Sequence, residues 1–338
     1  MSLKEEIRKY SKTIGIDDIG FLKIEENNKK EVLDKIILSK RLSYLSEFSK
    51  GSLEEKTNPL LFMEDAKTLI VVLVSYYNKS KLKSKKKGYI STSSWGIDYH
   101  LILKEKEKQL IDFLKEKYPD KKFLASVDTT PLDERYFGYL TGLGFYGKNN
   151  LLISPRFGTF IFLGTILTDL EIKTDKPLNQ TCLNCNACIK VCPTKALNKH
   201  GVLNSNICLS YITQKKGIIK DKYKDKIKNV IYGCDICQNV CPHNQKREKF
   251  EHPEFLPNEF TFPDLIEFIS ISNEEYKKRY GKSAMYWRKR NILKRNALIA
   301  IGNIESKEKI KKAIEIVKNE KDEGIQDVIR WLKLKVKE

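Results

Sequence analysis

The distribution of cysteine constrains this chain more than any other feature. All eight cysteines lie between Cys182 and Cys241, and the remainder of the 338 residues contains none. A disulfide framework would be spread over a small secreted domain, whereas clustered thiols in a chain of cytosolic character favour metal binding. The sequence therefore predicts that the cysteines are metal ligands.

The spacing of the cysteines specifies the kind of metal centre. The run "CLNCNACIKVCP" from Cys182 is typical of bacterial ferredoxins, in which three closely spaced cysteines bind one [4Fe–4S] cube and the fourth reaches a neighbouring cluster. A second set consists of Cys208 and the run "CDICQNVCP" from Cys234. If the last cysteine of each set binds the cluster of the other set, two clusters are predicted. One is held by Cys182, Cys185, Cys188 and Cys241, and the other by Cys192, Cys208, Cys234 and Cys237.

Two zinc sites are the alternative, because a tetrahedral zinc site also uses Cys-x2-Cys pairs. Zinc sites rarely show three cysteines in consecutive x2 steps, so the pattern favours clusters. The second set is interrupted by a long segment between Cys208 and Cys234, which a simple ferredoxin would not need. This insert predicts that one cluster faces another surface or cofactor.

Composition and charge narrow the class of protein. The longest apolar run, "TLIVVLVSYY" from Thr68, is too short to span a membrane and predicts a buried strand. The N-terminus is charged and amphipathic, unlike a secretory signal, so a cytoplasmic protein without a membrane partner is expected. The formal net charge of +19 is compatible with a nucleic-acid partner but does not establish one.

The first half of the chain reads as an α/β domain. Strand-like runs begin at Ile19, Thr68, Lys122 and Phe160, and a long helix is predicted over 100–117. The segment "GLGFYG" lacks the spacing of a dinucleotide-binding loop, and "DYHLIL" matches a cobalamin-ligating histidine motif too poorly to be more than chance. Asp128 ends a strand-like run, where it could act as an acid at the sheet edge or cap the next helix.

The C-terminal region is predicted to be helical. Ile310, Ala313, Ile314 and Val317 mark one amphipathic helix, and a second follows from Ile325. Together with "KRNALIAIGN" they suggest a short stack of paired helices. The expected organisation is an α/β domain over 1–175, a ferredoxin-like domain over 176–250 and a helical tail over 251–338.

Several stretches together resemble the epoxyqueuosine reductase family. They include "VDTTPLDERYFGYLTGLGFYGKNNLLI", "FGTFIFLGTILTDL", "CLNCNACIKVCPTKAL", "IYGCDICQNVCPHN" and "RNALIAIGN". The combination of "GLGFYGKNNLLI" upstream with "GCDICQNVCP" downstream is more specific than the cluster motifs alone. The resemblance covers most of the chain.

The resemblance implies a fold and an activity. The fold is a cobalamin-binding α/β domain, a ferredoxin-like domain with two [4Fe–4S] clusters and a HEAT-like helical tail that binds tRNA. The activity is reduction of epoxyqueuosine to queuosine at the wobble position of tRNA. Cobalamin would bind base-off between the first two domains. A low-potential electron donor is expected as a partner, and a monomer is expected.

The resemblance also implies roles for individual residues. By its position in "VDTTP", Asp128 matches the family's proton donor, and a buried acid there would have a raised pKa. Lys56, Gly164 and Asp235 fall in motifs that line the cofactor. Lys56 replaces an arginine common in the family, which changes the contact geometry that is available.

With tRNA as the implied substrate, basic residues become candidates for phosphate contact. The candidates are Lys215, Lys224, Arg288, Arg290 and Arg295. Three other functions compete with the reductase hypothesis: a cobalamin-dependent reductive dehalogenase, a plain iron–sulfur electron carrier, and an RNA-binding module that holds zinc.

Overall fold

The fold is described from a computed structural model of the chain. The structure describes residues 2–24, 46–48, 51–78, 86–198, 201–245, 247–248 and 252–337. No helix in these ranges is both long enough and apolar enough to cross a membrane.

The strands form one larger sheet and two short pairs. In chain order they are β1 (Asp18–Lys23), β2 (Thr68–Ser75), β3 (Tyr89–Ile90), β4 (Phe123–Ser126), β5 (Phe145–Tyr146), β6 (Leu152–Ile153), β7 (Ile161–Thr168) and β8 (Val230–Tyr232).

The α-helices fall into two groups along the chain. The first comprises α1 (Leu3–Thr13), α2 (Leu53–Thr57), α3 (Tyr99–Lys117), α4 (Glu134–Leu140), α5 (Ala187–Val191), α6 (Leu209–Gln214), α7 (Asp221–Ile227) and α8 (Ile236–Asn239). The second comprises α9 (Leu265–Ser270), α10 (Asn273–Tyr280), α11 (Arg290–Ile304), α12 (Lys307–Val317) and α13 (Glu323–Lys337). Single 3-10 turns occur at Pro59–Leu61, Thr92–Ser94, Ser205–Ile207, Pro242–Asn244, Pro253–Phe255 and Ala284–Trp287.

The larger sheet has the order β1-β2-β7-β4, and every neighbouring pair is antiparallel. Every residue of β2 is buried, which confirms the strand predicted from its apolar run. The antiparallel pairing departs from the parallel sheet that alternating strands and helices usually indicate. The rule that places ligands at the carboxyl edge of a parallel sheet therefore does not explain the position of Asp128.

Helices cover both faces of this sheet. On one face Ile70, Val72 and Ile166 share a core with Leu110 and Leu114 of α3. On the other face Leu69, Val71 and Leu163 pack with residues of α4. Side chains alternate along β2 and β7 because successive residues of a strand point to opposite faces. Helices on both faces exclude water from the middle of the sheet.

The insert between Cys208 and Cys234 packs against the helical tail. Strand β8 of the insert pairs in parallel with β3, and both lie in one core with α11. Asn296 of α11 fixes the insert by donating from Nδ2 to the carbonyls of Thr213 at 2.6 Å and Ile231 at 2.7 Å. The three predicted segments of the chain therefore do not form three separate cores.

The tail consists of packed helices, as predicted. The predicted amphipathic faces of α12 and α13 are buried at Ile310, Ala313, Val317, Ile325, Val328 and Leu332. Helix α11 lies between them and the insert and is buried over most of its length. A helix surrounded in this way must be apolar on several sides, which its sequence satisfies.

Candidate active site

Asp128 occupies a strained turn at the end of β4. Its φ of 48° lies in the left-handed region, which aspartate tolerates better than most residues. Helix α4 begins later, at Glu134, and its N-cap is Asp133, whose Oδ1 accepts from the amides of Arg135 and Tyr136 at 3.1 Å each. The interpretation of Asp128 as a helix cap is therefore wrong.

The Asp128 carboxylate points outward and is held from one side. Oδ2 accepts a hydrogen bond from the Tyr99 hydroxyl at 3.0 Å, and Nε2 of His100 lies 3.9 Å from the same oxygen. The side chain is 68% exposed, so the expectation of a buried acid is wrong. The turn aims the carboxylate away from the sheet, where it can meet a substrate from outside the chain.

Sequence reasoning missed the two residues that face Asp128. Tyr99 and His100 belong to "DYHLIL", which begins α3 with Asp98 as its N-cap. Nδ1 of His100 lies 2.7 Å from Oδ1 of Asp98, which fixes the imidazole orientation. The signal that could have identified them is a histidine and a tyrosine directly after a cap residue, at the start of a long helix.

Tyr99 belongs to an aromatic stack that leads away from Asp128. Its ring lies parallel to that of Phe162 with centroids 4.2 Å apart, and Tyr76 stacks on Phe162 at the same distance. Burial, together with the charge of Asp128, raises the pKa of Tyr99. The phenol therefore stays protonated and remains a hydrogen-bond donor to the carboxylate.

Two further carboxyl groups lie behind Asp128. Oε1 of Glu134 accepts from the Asp128 amide at 2.6 Å, and burial followed by the charge of Asp128 raises the pKa of Glu134. Glu107, on the inner face of α3, is fully buried, and neither of its oxygens has a hydrogen-bond partner among the described residues. Gly164 leaves room for it, since a Cβ at that position would lie 2.3 Å from Oε1 of Glu107.

The protonation of Glu107 leads to a prediction about stability. Burial, and then the charge of Glu134, raise the pKa of Glu107 to about 9, partly opposed by Lys104. The folded chain thus keeps a proton that the unfolded chain loses, so stability falls as pH rises from about 4.5 towards 9. Glu107→Gln should remove most of this decline, which is worth roughly 4 kcal/mol between about pH 5 and pH 8.

The measurement is the thermal unfolding midpoint of both proteins across this pH range. The variant should gain on the wild type steadily as pH rises, and the two should be close at the acidic end. A constant difference at every pH would show that Glu107 is not protonated in the folded chain.

Lys56 and Asp235, both predicted to line a cofactor, are buried. The Lys56 carbonyl accepts from the Asp133 amide at 3.0 Å, so α2 abuts the turn that carries Asp128; burial lowers the pKa of Lys56. The Asp235 carboxylate accepts five hydrogen bonds within the chain. The donors are the Tyr89 and Ser91 hydroxyls, the Thr92 amide and hydroxyl, and the Gln238 amide.

The hydrogen bonds of Asp235 link two segments of the chain. With five donors on two oxygens, its side chain ties the segment around Ser91 to the cysteine loop. A contact between Asp235 and a cofactor remains a prediction, and it would have to use groups other than the occupied carboxylate.

The first predicted group of cysteines comes together in the fold. Burial, and then the nearby charges of Cys182, Cys241 and Cys185, raise the pKa of Cys188. Burial and the charges of Cys182 and Cys185 likewise raise the pKa of Cys241. Cys241, distant in sequence from the other three, is therefore their neighbour in space.

The second predicted group also converges. Burial raises the pKa of Cys234 to about 12, with contributions from the charges of Cys208 and Cys192. Burial, and then Cys234 and Cys208, raise the pKa of Cys237. Eight free thiols in two sets of four provide the donor set that two [4Fe–4S] clusters need. Among the described residues, no group of three or more Cys, His, Asp or Glu is arranged to hold a single metal ion.

The second cysteine group lies beside the aromatic stack. The Tyr76 hydroxyl donates to Oε1 of Gln238 at 3.3 Å, and Gln238 directly follows Cys237. Burial, followed by the charges of Asp235 and Cys237, raises the pKa of Tyr76. The stack thus connects the cysteines of the second group with Asp128.

Two of the predicted tRNA contacts are wrong because their side chains are buried in ion pairs or backbone contacts. Nζ of Lys224 lies 2.7 Å from carboxylate oxygens of both Asp221 and Asp327, and its side chain is almost fully buried. Arg295 donates to the carbonyls of Lys215 and Gly217 and is also buried. Both side chains hold the insert against the tail.

The other three candidates differ in their surroundings. Arg290 donates to the Ile271 carbonyl, and its Nη2 lies 3.7 Å from Oε1 of Glu320. Lys215 is half-buried, and burial lowers its pKa. Arg288 is buried as well, but its guanidinium stacks on the ring of Trp287 at 3.5 Å, and its Nε and Nη2 have no hydrogen-bond partner among the described residues.

Comparisons with known proteins agree with this arrangement. Residues 56–129 match the family model described as "Epoxyqueuosine reductase QueG, DUF1730". Residues 181–244 match the model of a "4Fe-4S double cluster binding domain". The second match confirms the predicted iron–sulfur chemistry, and the zinc alternative is wrong.

Relatives align over nearly the whole chain. An epoxyqueuosine reductase from Lactococcus garvieae is 38% identical over 335 residues, covering 98% of this chain and 95% of that protein. A solved epoxyqueuosine reductase with an epoxyqueuosine-modified tRNA-Tyr stem loop has a TM-score of 0.89 at 33% identity, covering 99% of this chain and 90% of the other.

A further solved structure is the epoxyqueuosine reductase from Bacillus subtilis with the loop of its catalytic aspartate swung out of the active site. It has a TM-score of 0.88 at 32% identity and covers 99% of this chain and 90% of that one. With its two cysteine groups and the acidic turn at Asp128, this chain belongs to the epoxyqueuosine reductase family.

Proposed function

We propose that this chain reduces epoxyqueuosine to queuosine at the wobble position of tRNA, the last step of queuosine biosynthesis. The observation that carries the proposal is the position of Asp128. Its exposed carboxylate stands at one end of the Tyr99–Phe162–Tyr76 stack, and a group of four cysteines stands at the other. A proton donor and a source of electrons would thus lie at the two ends of one aromatic stack.

Two clusters and base-off cobalamin are the proposed cofactors. The two cysteine groups would hold the clusters, and cobalamin would lie between the α/β domain and the cysteine loops, near Lys56 and Gly164. One feature of this region fits a corrin ring with its many amide acceptors. Arg247 stacks on Tyr77 at 3.2 Å, and its buried Nε has no hydrogen-bond partner among the described residues. When bound, cobalamin supplies a strongly reducing metal centre for the epoxide carbon.

The residues of the chain supply the proton chemistry. Conversion of the epoxide to an alkene consumes two electrons and two protons and releases water. Asp128 would protonate the epoxide oxygen, while the Tyr99 hydroxyl on Oδ2 orients the carboxyl group and stabilises the carboxylate left behind. Among the described residues, no hydrogen bond to Oδ1 is found, so this oxygen is available to the substrate.

Movement of the Asp128 turn is part of this proposal. The B. subtilis relative has been solved with its catalytic aspartate loop swung out of the active site. The high exposure of Asp128 and its left-handed backbone agree with a turn that closes when substrate arrives. Closure would exclude water from around the carboxyl group and bring it to the substrate.

The helical tail is proposed to be HEAT-like and to bind tRNA. Trp287 is exposed beside Arg288, and an aromatic face next to a guanidinium suits an unstacked base and its phosphate. Lys215 and Arg290 remain candidates for further phosphate contacts. We also propose that the protein is a monomer with domain boundaries near residues 175 and 250. Its proposed location is the cytoplasm, where reducing conditions prevent disulfides among the eight cysteines.

Arg288→Ala is expected to weaken tRNA binding about tenfold and to reduce the salt dependence of binding by about one phosphate contact. The measurement is tRNA affinity across a series of salt concentrations. Lys224→Ala is the matched comparison, because it should lower thermal stability while leaving the affinity of the folded protein unchanged. Equal affinity losses in both variants would contradict the assignment.

The decisive test of the activity uses reconstituted, reduced protein and tRNA that contains epoxyqueuosine. Mass spectrometry of the nucleosides should show loss of one oxygen. Protein that holds both clusters and cobalamin but leaves the epoxide intact would overturn the proposal.

A further inference from the structure

One part of the first cysteine group reaches the surface. Of the eight cysteines, all within the described residues, only Cys185 is exposed. Two apolar side chains of the same segment are exposed as well, Leu183 by 49% and Val191 by 39%. We name five of the exposed side chains of segment 183–195 the docking face; they are Leu183, Cys185, Lys190, Val191 and Lys195.

The segment that contains the docking face carries charge of one sign. Residues 176–220 contain seven lysines and neither aspartate nor glutamate. Lys190 and Lys195 are exposed within this segment. Lys148 adds a positive charge from the β5–β6 hairpin, where Nζ donates to the side-chain oxygens of Asn184 and Asn186 at 2.7 Å each. Lys148 thereby also holds the cysteine loop in place.

The docking face lies at the outer end of a path into the molecule. Helix α5, which contains Cys188 of the first group, packs against α8, which contains Cys237 of the second. Gln238, directly after Cys237, accepts a hydrogen bond from the Tyr76 hydroxyl, and the stack that begins at Tyr76 ends at Asp128. The first group is thus the one open to solvent, and the second group is the one beside the active site.

We propose that the docking face binds a small acidic protein that carries single electrons, and that electrons enter the chain at the first cysteine group. This inference rests on the proposed function only in requiring that the clusters be reduced from outside. An apolar centre with a basic rim is the usual form of a transient electrostatic interface. Lysines around Cys185 would attract an acidic carrier, while Leu183 and Val191 would exclude water at the contact.

The transfer balances in electrons. Each encounter oxidises the carrier by one electron and reduces an oxidised [4Fe–4S] cluster from the 2+ to the 1+ state. Two encounters deliver the pair of electrons that removal of the epoxide oxygen requires, and the two protons come from the active site and water. No further oxidant or reductant is needed.

The experiment measures cluster reduction in the absence of tRNA. A reduced acidic [2Fe–2S] ferredoxin is mixed with the reconstituted, oxidised protein, and the absorbance change is followed at several salt concentrations. Lys190→Glu/Lys195→Glu should slow this reaction at least about tenfold at low salt and abolish its decline with added salt. Lys190→Gln/Lys195→Gln, a milder change, should give an intermediate rate.

The matched control is Lys108→Glu/Lys115→Glu, which makes the same change in net charge on the exposed side of α3. It should reduce the rate far less than the variant of the docking face. Iron and sulfide contents must equal those of the wild type, and reduction by excess dithionite with methyl viologen must go to completion in every protein.

Three results would overturn the inference: equal rates in the variant and the wild type, equal losses in the variant and the control, or normal reduction by ferredoxin with weakened tRNA binding. The last would show that the face binds RNA instead. Because cluster reduction is measured without tRNA, failure of the proposed reductase activity would not affect the outcome.

Discussion

Asp128→Asn is expected to reduce the rate of epoxide reduction by about 10²–10⁴-fold. Asparagine preserves the size of the side chain and can still accept from the Tyr99 hydroxyl, but it has no acidic proton to give to the epoxide oxygen. The left-handed turn should survive, because asparagine also tolerates φ values near 48°. The measurement is single-turnover formation of queuosine in tRNA by protein reduced beforehand.

Three properties of the Asp128→Asn variant should match the wild type: cluster content, cobalamin uptake and tRNA affinity. Tyr99→Phe provides a graded comparison, since it removes only the hydroxyl that orients the carboxyl group. It should slow the reaction by about tenfold, the scale of one neutral hydrogen bond. Full turnover by Asp128→Asn would refute the role of Asp128 as proton donor.

Paired cysteine substitutions are expected to separate the two clusters. Cys188→Ala/Cys241→Ala removes two ligands that the fold brings to one group, so the protein should lose one cluster and keep the other. Cys188→Ala/Cys192→Ala removes residues that are neighbours in sequence but belong to different groups, so both clusters should be damaged. Iron and sulfide analysis with electron paramagnetic resonance of the reduced proteins distinguishes these results.

The two double variants make the same chemical change, and they differ only in which groups they disturb. Epoxide reduction should vanish in both, because the path from the surface to the active site needs both clusters. Loss of one cluster in each variant, with no difference between them, would contradict the crossed assignment of Cys192 and Cys241.

The comparison of basic residues shows where sequence reasoning fails. Lys224 and Arg295 were candidates because they are cations in a chain with a large positive charge, yet both lie in the core between the insert and the tail. A buried cation requires carboxylate or carbonyl partners, and these come from distant residues such as Asp327. Spacing in the sequence does not reveal such partners. Arg288 is buried too, but it differs in lying beside the exposed Trp287 with two guanidinium nitrogens that have no hydrogen-bond partner among the described residues.

The surroundings of Asp128 also could not be predicted from the sequence. The resemblance identified the aspartate, but the cap interpretation and the expected burial were both wrong. Tyr99, His100 and Glu134 approach it from two helices, and Glu107 lies close to Glu134. Glu107 in particular looks like a surface residue in the sequence. Only the packing of α3 against Gly164 shows that it is buried.

The cluster chemistry follows from the sequence alone, because ligand spacing within a short loop is a local property of the chain. The buried strands and the amphipathic helices also follow from the sequence, since periodicity records which side of an element faces the core. The tertiary structure decided what depends on contacts between distant residues. These are the antiparallel sheet, the carboxyl groups behind Asp128, the core shared by insert and tail, and the solvent-facing position of Cys185. Burial and charge at these sites are set by neighbours far away in the chain, and a linear pattern contains no record of them.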